Sequence, residues 1–235
     1  MSKYNKIGII GAMEEEVDQL KAKMEVADTQ KIAAMEFVSG TLSGKEVVVV
    51  RSGIGKVNAA MCTQILADRY GVDCVINTGV AGALYQDLNI GDIVLSTDAL
   101  QHDMDATGFG YGLGVIPRME QSTFPGDEYL IQVAGDVCRE VNPEIQVFNG
   151  RVVSGDQFVS DGAKKAWLVE NFAGYCTEME GAAIAQAAWL NGIPFLIIRA
   201  ISDKADNSAE MDYSEFEAKA IEHTVKLMTE MVKRV

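Results

Sequence analysis

The sequence predicts an α/β fold with a mixed, largely parallel sheet. Three observations carry that prediction. Strand-like and helix-like segments alternate along the whole chain, the pattern of helices laid on a sheet. Several strand candidates, among them KIGIIGA at 6–12, DCVIN at 73–77 and PFLIIRA at 194–200, are short unbroken apolar runs, as expected of strands buried on both faces. No linker, low-complexity stretch or repeat divides the 235 residues, so a single domain spanning 1–235 is expected.

The elements follow in order. After the first strand, 13–23 shows apolar Met13, Val17, Leu20 and Ala22 with acids between them, a helical pattern. The β-branched segments 36–39 and 46–52 read as strands. A helix with Ala, Met, Leu and Ile on one face is expected over 55–70, then the strand 73–77, ending at Thr78-Gly79. The strand 92–96 leads into a long irregular stretch, 101–126. A helix at 128–141, a strand within 146–154, a helix at 162–172 and a short strand at 175–177 come next. The chain closes with an Ala-rich helix at 180–190, the strand 194–200 and an amphipathic helix at 215–234.

Composition narrows the function. A formal charge of −14 repels nucleic acid and anionic membranes. No stretch approaches the ~20 apolar residues of a membrane span. The apolar run at residues 7–10 is too brief for a leader peptide, so a cytoplasmic protein is expected. Cys62, Cys74, Cys138 and Cys176 form no CxxC pair and only two histidines exist, so no metal site is expected and the thiols read as reduced core residues. His102-Asp103-Met104-Asp105 reads as a hydrogen-bonding turn, not a ligand set.

Sheets of this class bind ligands at the carboxyl ends of their strands. That rule selects six segments. GIIGAMEEE at 8–16 lacks the GxGxxG spacing, and its glutamates would face a pyrophosphate, so a dinucleotide site is disfavoured. Glu14 and Glu15 read as helix-start acids; spacing leaves Glu16 unassigned. In Thr78-Gly79-Val80-Ala81-Gly82 the small residues either make a tight turn or let the backbone approach a flat ligand. In Glu178-Met179-Glu180 a glutamate either caps the following helix or accepts hydrogen bonds from vicinal sugar hydroxyls. In Arg199-Ala-Ile-Ser202-Asp203 the charged pair either locks the strand end or supplies a functional acid tuned by burial. Ser52–Gly55 and Ser154–Phe158 complete the set.

GIIGAMEEEV, SGIGKVNAA, NTGVAGAL, VSGDQF, EMEGAAIAQ and RAISDKAD, in this order, closely resemble the 5′-methylthioadenosine/S-adenosylhomocysteine nucleosidase family, from Lys6 to the last helix. The resemblance implies a nucleoside phosphorylase-like fold: one three-layer α/β domain with a central twisted mixed sheet flanked by helices, as a homodimer without cofactor. It implies hydrolysis of the N-glycosidic bond of adenine nucleosides, 5′-deoxyadenosine included. In that mechanism Glu16 would activate water, Glu180 would hold the ribose 2′- and 3′-hydroxyls, and Asp203 would protonate adenine N7 with support from Ser202. Met179 would pack on the ribose, Phe158 would stack on adenine, and backbone at Val159 would read the purine edge. Met13, Ile54, Val80, Ala81, Gly82 and Glu178 would line the site, and Arg199 would organise the carboxylates. Ala106, Phe109, Tyr111 and Pro117 would cover the partner subunit's 5′-substituent pocket. Two positions depart from the family pattern: Val80, often serine, and Tyr213, commonly phenylalanine. Aminodeoxyfutalosine nucleosidase and purine nucleoside phosphorylase are the alternatives within this fold, and a non-catalytic nucleoside binder is the alternative outside enzymes.

Overall fold

The structure, a computed structural model, describes residues 3–235 except the side chains of Met211 and Ser214. Its strands are β1 (Lys6–Gly11), β2 (Glu25–Ile32), β3 (Met35–Leu42), β4 (Lys45–Arg51), β5 (Cys74–Ala83), β6 (Ile93–Gln101), β7 (Thr123–Pro125), β8 (Val147–Ser154), β9 (Cys176–Glu178) and β10 (Phe195–Asp203). Its α-helices are α1 (Asp18–Ala22), α2 (Lys56–Ile65), α3 (Glu128–Val141), α4 (Gly162–Phe172), α5 (Gly181–Leu190) and α6 (Ala209–Met231).

One mixed sheet runs β10-β6-β8-β9-β5-β1-β4-β3-β2, and β10 also pairs with β5. That extra pairing closes β5, β10, β6, β8 and β9 into a ring, from which β1, β4, β3 and β2 extend. Parallel pairings (β1–β4, β1–β5, β5–β10, β6–β8, β8–β9) are no commoner than antiparallel ones, so the expected parallel majority is corrected. The short links β2–β3 and β3–β4 can only return the chain antiparallel.

Helices cover both faces. On one, α1, α3 and α6 bury Leu20, Leu130, Val137, Val225 and Met228 against Ile7, Ile9 and Ile76. On the other, α2 and α5 bury Ala59, Cys62 and Ile184 against Ile10, Val48 and Val75. Each fully buried aliphatic side chain of this kind stabilises the fold by about 1.5–3 kcal/mol. All four cysteines are free and buried in this core.

Several elements differ from expectation: β6 runs on to Gln101, β7 falls within the stretch expected to be irregular, and α6 starts at Ala209 instead of 215. The helix expected at 13–23 shrinks to Asp18–Ala22, because Glu16 folds inward and bonds the backbone N–H of Ala12 and Met13. Glu14 and Glu15 therefore precede the helix; Glu14 instead pairs with Lys21 at 2.7 Å, and Asp18 is the acid of the first turn. β2 was not expected, since EVADTQKI is exposed along nearly its whole length and shows no apolar period. β5 and β10 run on through Ala83 and Asp203, so TGVAG is strand and not a turn.

Candidate active site

The carboxyl ends of β1, β5, β9 and β10 converge on a cavity of about 360 Å³. It is lined by Met13, Glu16, Ile54, Val80, Ala81, Gly82, Phe158, Glu178, Met179, Glu180, Arg199, Ser202, Asp203 and Tyr213. Val159 sits one step behind, in a recess of about 30 Å³ shared with Gly82, Phe158 and Asp203. Ala106, Phe109, Tyr111 and Pro117 do not line the cavity; Phe109 is 88% exposed. Ala12, Thr177 and Glu210 also line it and were not expected. Ala12 lies within GIIGAMEEE and Thr177 directly precedes Glu178-Met179-Glu180, which was the signal available; Glu210 lies in the first turn of α6 and carried none.

Arg199 organises one end. Its side chain is 1% exposed and reaches three different strands or turns. Nη1 donates to the Val80 carbonyl at 3.2 Å. Nη2 donates to Asn77 Oδ1 at 2.6 Å and to Glu178 Oε2, and lies 3.5 Å from Glu180 Oε2. Asn77 in turn donates to the Ile10 carbonyl at 2.9 Å, which ties the guanidinium to the central strand. A buried cation held this way needs its carboxylates, because removing either partner leaves an uncompensated charge.

The three glutamates around Arg199 divide their work. Glu178 caps α5: Oε2 accepts the N–H of Glu180 at 3.1 Å and of Gly181 at 2.7 Å, and Oε1 accepts from the Ser154 hydroxyl. Glu180 is spared that task. Its Oε1 accepts the Gly55 N–H at 2.8 Å, and the carboxylate otherwise faces the cavity. Burial pushes its carboxyl up to about 7; Arg199 opposes the rise and Glu178 adds to it. Glu16 accepts three backbone N–H groups, Ala12 at 2.6 Å, Met13 at 3.0 Å and Val80 at 3.2 Å. Burial raises its carboxyl above the ordinary range, and Arg199 and the three N–H groups hold it back.

Asp203 governs the other end. It makes no ion pair with Arg199, so the strand-locking reading of that pair is corrected. Its Oδ2 accepts from the Ser202 hydroxyl at 2.9 Å and its Oδ1 from the Ala205 N–H at 2.8 Å. Burial raises this carboxyl too, Asp212 and Asp206 add to the rise, and the Ala205 N–H and Ser202 hydroxyl oppose it. Lys165 is a cation within electrostatic reach, but it donates to the Lys204 carbonyl at 2.6 Å and forms no ion pair with Asp203. Phe158 is half exposed beside it, 6.0 Å from the Tyr213 ring and edge-on. A flat aromatic ligand has a face to stack against there.

The glycines of TGVAG serve these side chains. A Cβ on Gly79 would stand 2.4 Å from both Arg199 Nη1 and Glu16 Oε1, and one on Gly82 would stand 2.7 Å from Asp203 Oδ1. The missing side chains make room for the protein's own charged groups on a strand buried throughout. His102-Asp103-Met104-Asp105 does form hydrogen-bonded turns: Asp103 binds Lys56 at 2.6 Å and Asp105 accepts from Thr107 at 2.7 Å.

Comparison with known proteins agrees with this geometry. Residues 6–233 match the family model of the phosphorylase superfamily. A 5′-methylthioadenosine/S-adenosylhomocysteine nucleosidase of Bacillus licheniformis is 46% identical over 98% of this chain and 99% of its own length. The nucleosidase of the same name from Neisseria meningitidis, solved with methylthio-immucillin-A, superposes with a TM-score of 0.94 at 39% identity, covering 98% of this chain and 100% of that one. A futalosine hydrolase of Helicobacter pylori superposes with a TM-score of 0.92 at 34% identity over 98% of each chain. The chain belongs to the phosphorylase superfamily and, within it, to the 5′-methylthioadenosine/S-adenosylhomocysteine nucleosidase family.

Proposed function

We propose that this protein hydrolyses the N-glycosidic bond of 5′-methylthioadenosine and S-adenosylhomocysteine, releasing adenine and the 5-substituted ribose. The observation that carries the reading is the convergence of Glu16, Glu180 and Asp203 on one cavity, with Arg199 beside the first two only.

Breaking this bond builds positive charge on the ribosyl ring and negative charge on the base, through an oxocarbenium-like transition state. Glu180 accepts hydrogen bonds from the ribose 2′- and 3′-hydroxyls. Glu16 takes a proton from the attacking water, and its raised proton affinity suits a base working near neutral pH. Both carboxylates stabilise the developing cation. Asp203 keeps its proton to higher pH than an exposed aspartate and gives it to adenine N7. Ser202 holds that carboxyl in place, Phe158 stacks on adenine, and Met179 packs against the sugar. Water is favoured over phosphate as nucleophile. Three glutamates outnumber the single buried guanidinium at this end, so an anion would meet repulsion of a few kcal/mol at an effective dielectric of ~20.

A second reading, hydrolysis of an aminodeoxyfutalosine, is favoured by the likeness to the Helicobacter pylori futalosine hydrolase. It shares every proposed catalytic residue and differs only at the 5′-substituent. Release of the free base, adenine from methylthioadenosine, S-adenosylhomocysteine, 5′-deoxyadenosine and aminodeoxyfutalosine or hypoxanthine from inosine, separates the readings. The first requires turnover of methylthioadenosine; turnover of aminodeoxyfutalosine alone would replace it with the second.

The working unit is proposed to be a single-domain chain in a cytoplasmic homodimer. Phe109 and Tyr111, with Val57 and Met61 on α2, expose large apolar side chains that a second copy would cover. Ala106, Phe109, Tyr111 and Pro117 would then border the partner's 5′ pocket. Sedimentation showing only monomer at micromolar concentration would contradict the dimer.

A further inference from the structure

Three residues outside the cavity close a ring of hydrogen bonds behind Glu180. Asp103 Oδ1 accepts from Lys56 Nζ at 2.6 Å, and Asp103 Oδ2 accepts from the backbone N–H of Asp156 at 3.0 Å. Asp156 Oδ1 then accepts the backbone N–H of Lys56 at 2.8 Å, returning to the start. Gln101 adds a second acceptor for Lys56 Nζ at 3.0 Å. The Lys56 and Asp103 side chains are each 18% exposed, so the pair is largely shielded.

The ring fixes two segments that the site uses. Gly55 precedes Lys56, adopts φ +97°, and gives its N–H to Glu180 Oε1 at 2.8 Å. α2 has no capping side chain of its own; Asp156, from a distant segment, takes the N–H of its first residue. Phe158 follows Asp156 by two residues. A loop that must hold a left-handed glycine against a carboxylate needs its neighbours pinned, and a shielded, multiply bonded ion pair does this better than an exposed one.

We propose that Lys56, Asp103 and Asp156 are positioning residues for the reaction: their ring sets Gly55 against Glu180 and thereby sets the grip on the ribose hydroxyls. The inference rests on the reading of Glu180 as the ribose-holding carboxylate. A mere surface staple would change stability, or slow all substrates alike.

The test compares kcat/KM on 5′-methylthioadenosine and on its 2′,3′-dideoxy counterpart for wild type, Asp103→Asn, Lys56→Met, Lys56→Arg and Glu180→Gln, with melting curves for each. Asp103→Asn and Lys56→Met should each lose about tenfold on the ribonucleoside and less than about twofold on the dideoxy compound, the coupling expected of groups in one network. Lys56→Arg should restore most of the loss while melting like wild type. Equal losses on both substrates, or none on either, overturn the inference if Glu180→Gln itself discriminates between them. If Glu180→Gln fails to discriminate, the reading of Glu180 falls and the inference with it.

Discussion

The two ends of the cavity carry the same functional group in opposite settings. At the Arg199 end, Glu16, Glu178 and Glu180 crowd one buried guanidinium, and backbone N–H groups take up most of their remaining lone pairs. At the other end, Asp203 is buried with one hydroxyl and one N–H and makes no ion pair with Arg199. Burial pushes Glu16, Glu180 and Asp203 all toward the neutral form; at the first end the buried Arg199 guanidinium pushes back, whereas at the other end Asp212 and Asp206 add to the rise and Lys165 acts only from a distance. On the proposed mechanism, one end keeps anions next to a developing cation, and the other keeps a proton ready for a leaving base. Under that proposal, placement alone divides acid and base work between the carboxylates.

Removing the cation should break the comparison most severely. Arg199→Met leaves three buried carboxylates facing each other, and urea denaturation should report a loss of about 3–5 kcal/mol together with loss of turnover. Unchanged stability would mean that the carboxylates are neutral without it. Next comes the acid itself. Asp203→Asn should lower kcat by about 10²-fold or more on methylthioadenosine, with nucleoside binding retained. On the 7-deaza analogue, which lacks the nitrogen to be protonated, the same substitution should cost little; a full loss there would remove the proton-donor role.

A smaller effect separates the two ends by pH. An unfolded glutamate titrates near 4.5 and folded Glu180 near 7, so between these values the folded state holds a proton that the unfolded state has released. The contribution is present in full below 4.5 and is lost as pH rises to about 7. Glu180→Gln should flatten that decline in the melting temperature; an unaltered slope would contradict the raised value. Smallest is Tyr213→Phe. The hydroxyl donates to Glu217 at 2.6 Å, on its own helix, so its loss should cost about 0.5–1.5 kcal/mol of stability. Turnover of methylthioadenosine should stay within about twofold, checked by steady-state kinetics at saturating substrate.

Much of this was legible in the sequence because strand ends carry the motifs. The apolar runs of β1, β5 and β10 announced buried strands, and the ligand rule for such sheets selected the segments that meet in the cavity. What stayed hidden depends on tertiary packing. Three consecutive glutamates look alike in sequence; only the fold buries Glu16 at 1% exposure and leaves Glu14 and Glu15 in solvent. The family resemblance, and not spacing, singled Glu16 out. Likewise the cap-or-sugar choice for Glu178 and Glu180 turned on which carboxylate reaches the N–H of Gly181. β2 was illegible because an exposed edge strand has no apolar side to show.

Adenine release from methylthioadenosine in phosphate-free buffer, followed by addition of phosphate with products observed by phosphorus NMR, tests the central claim most directly. The account predicts turnover without phosphate, the same rate with it, and no sugar phosphate. Turnover only after phosphate is added, with a ribose 1-phosphate product, would contradict it.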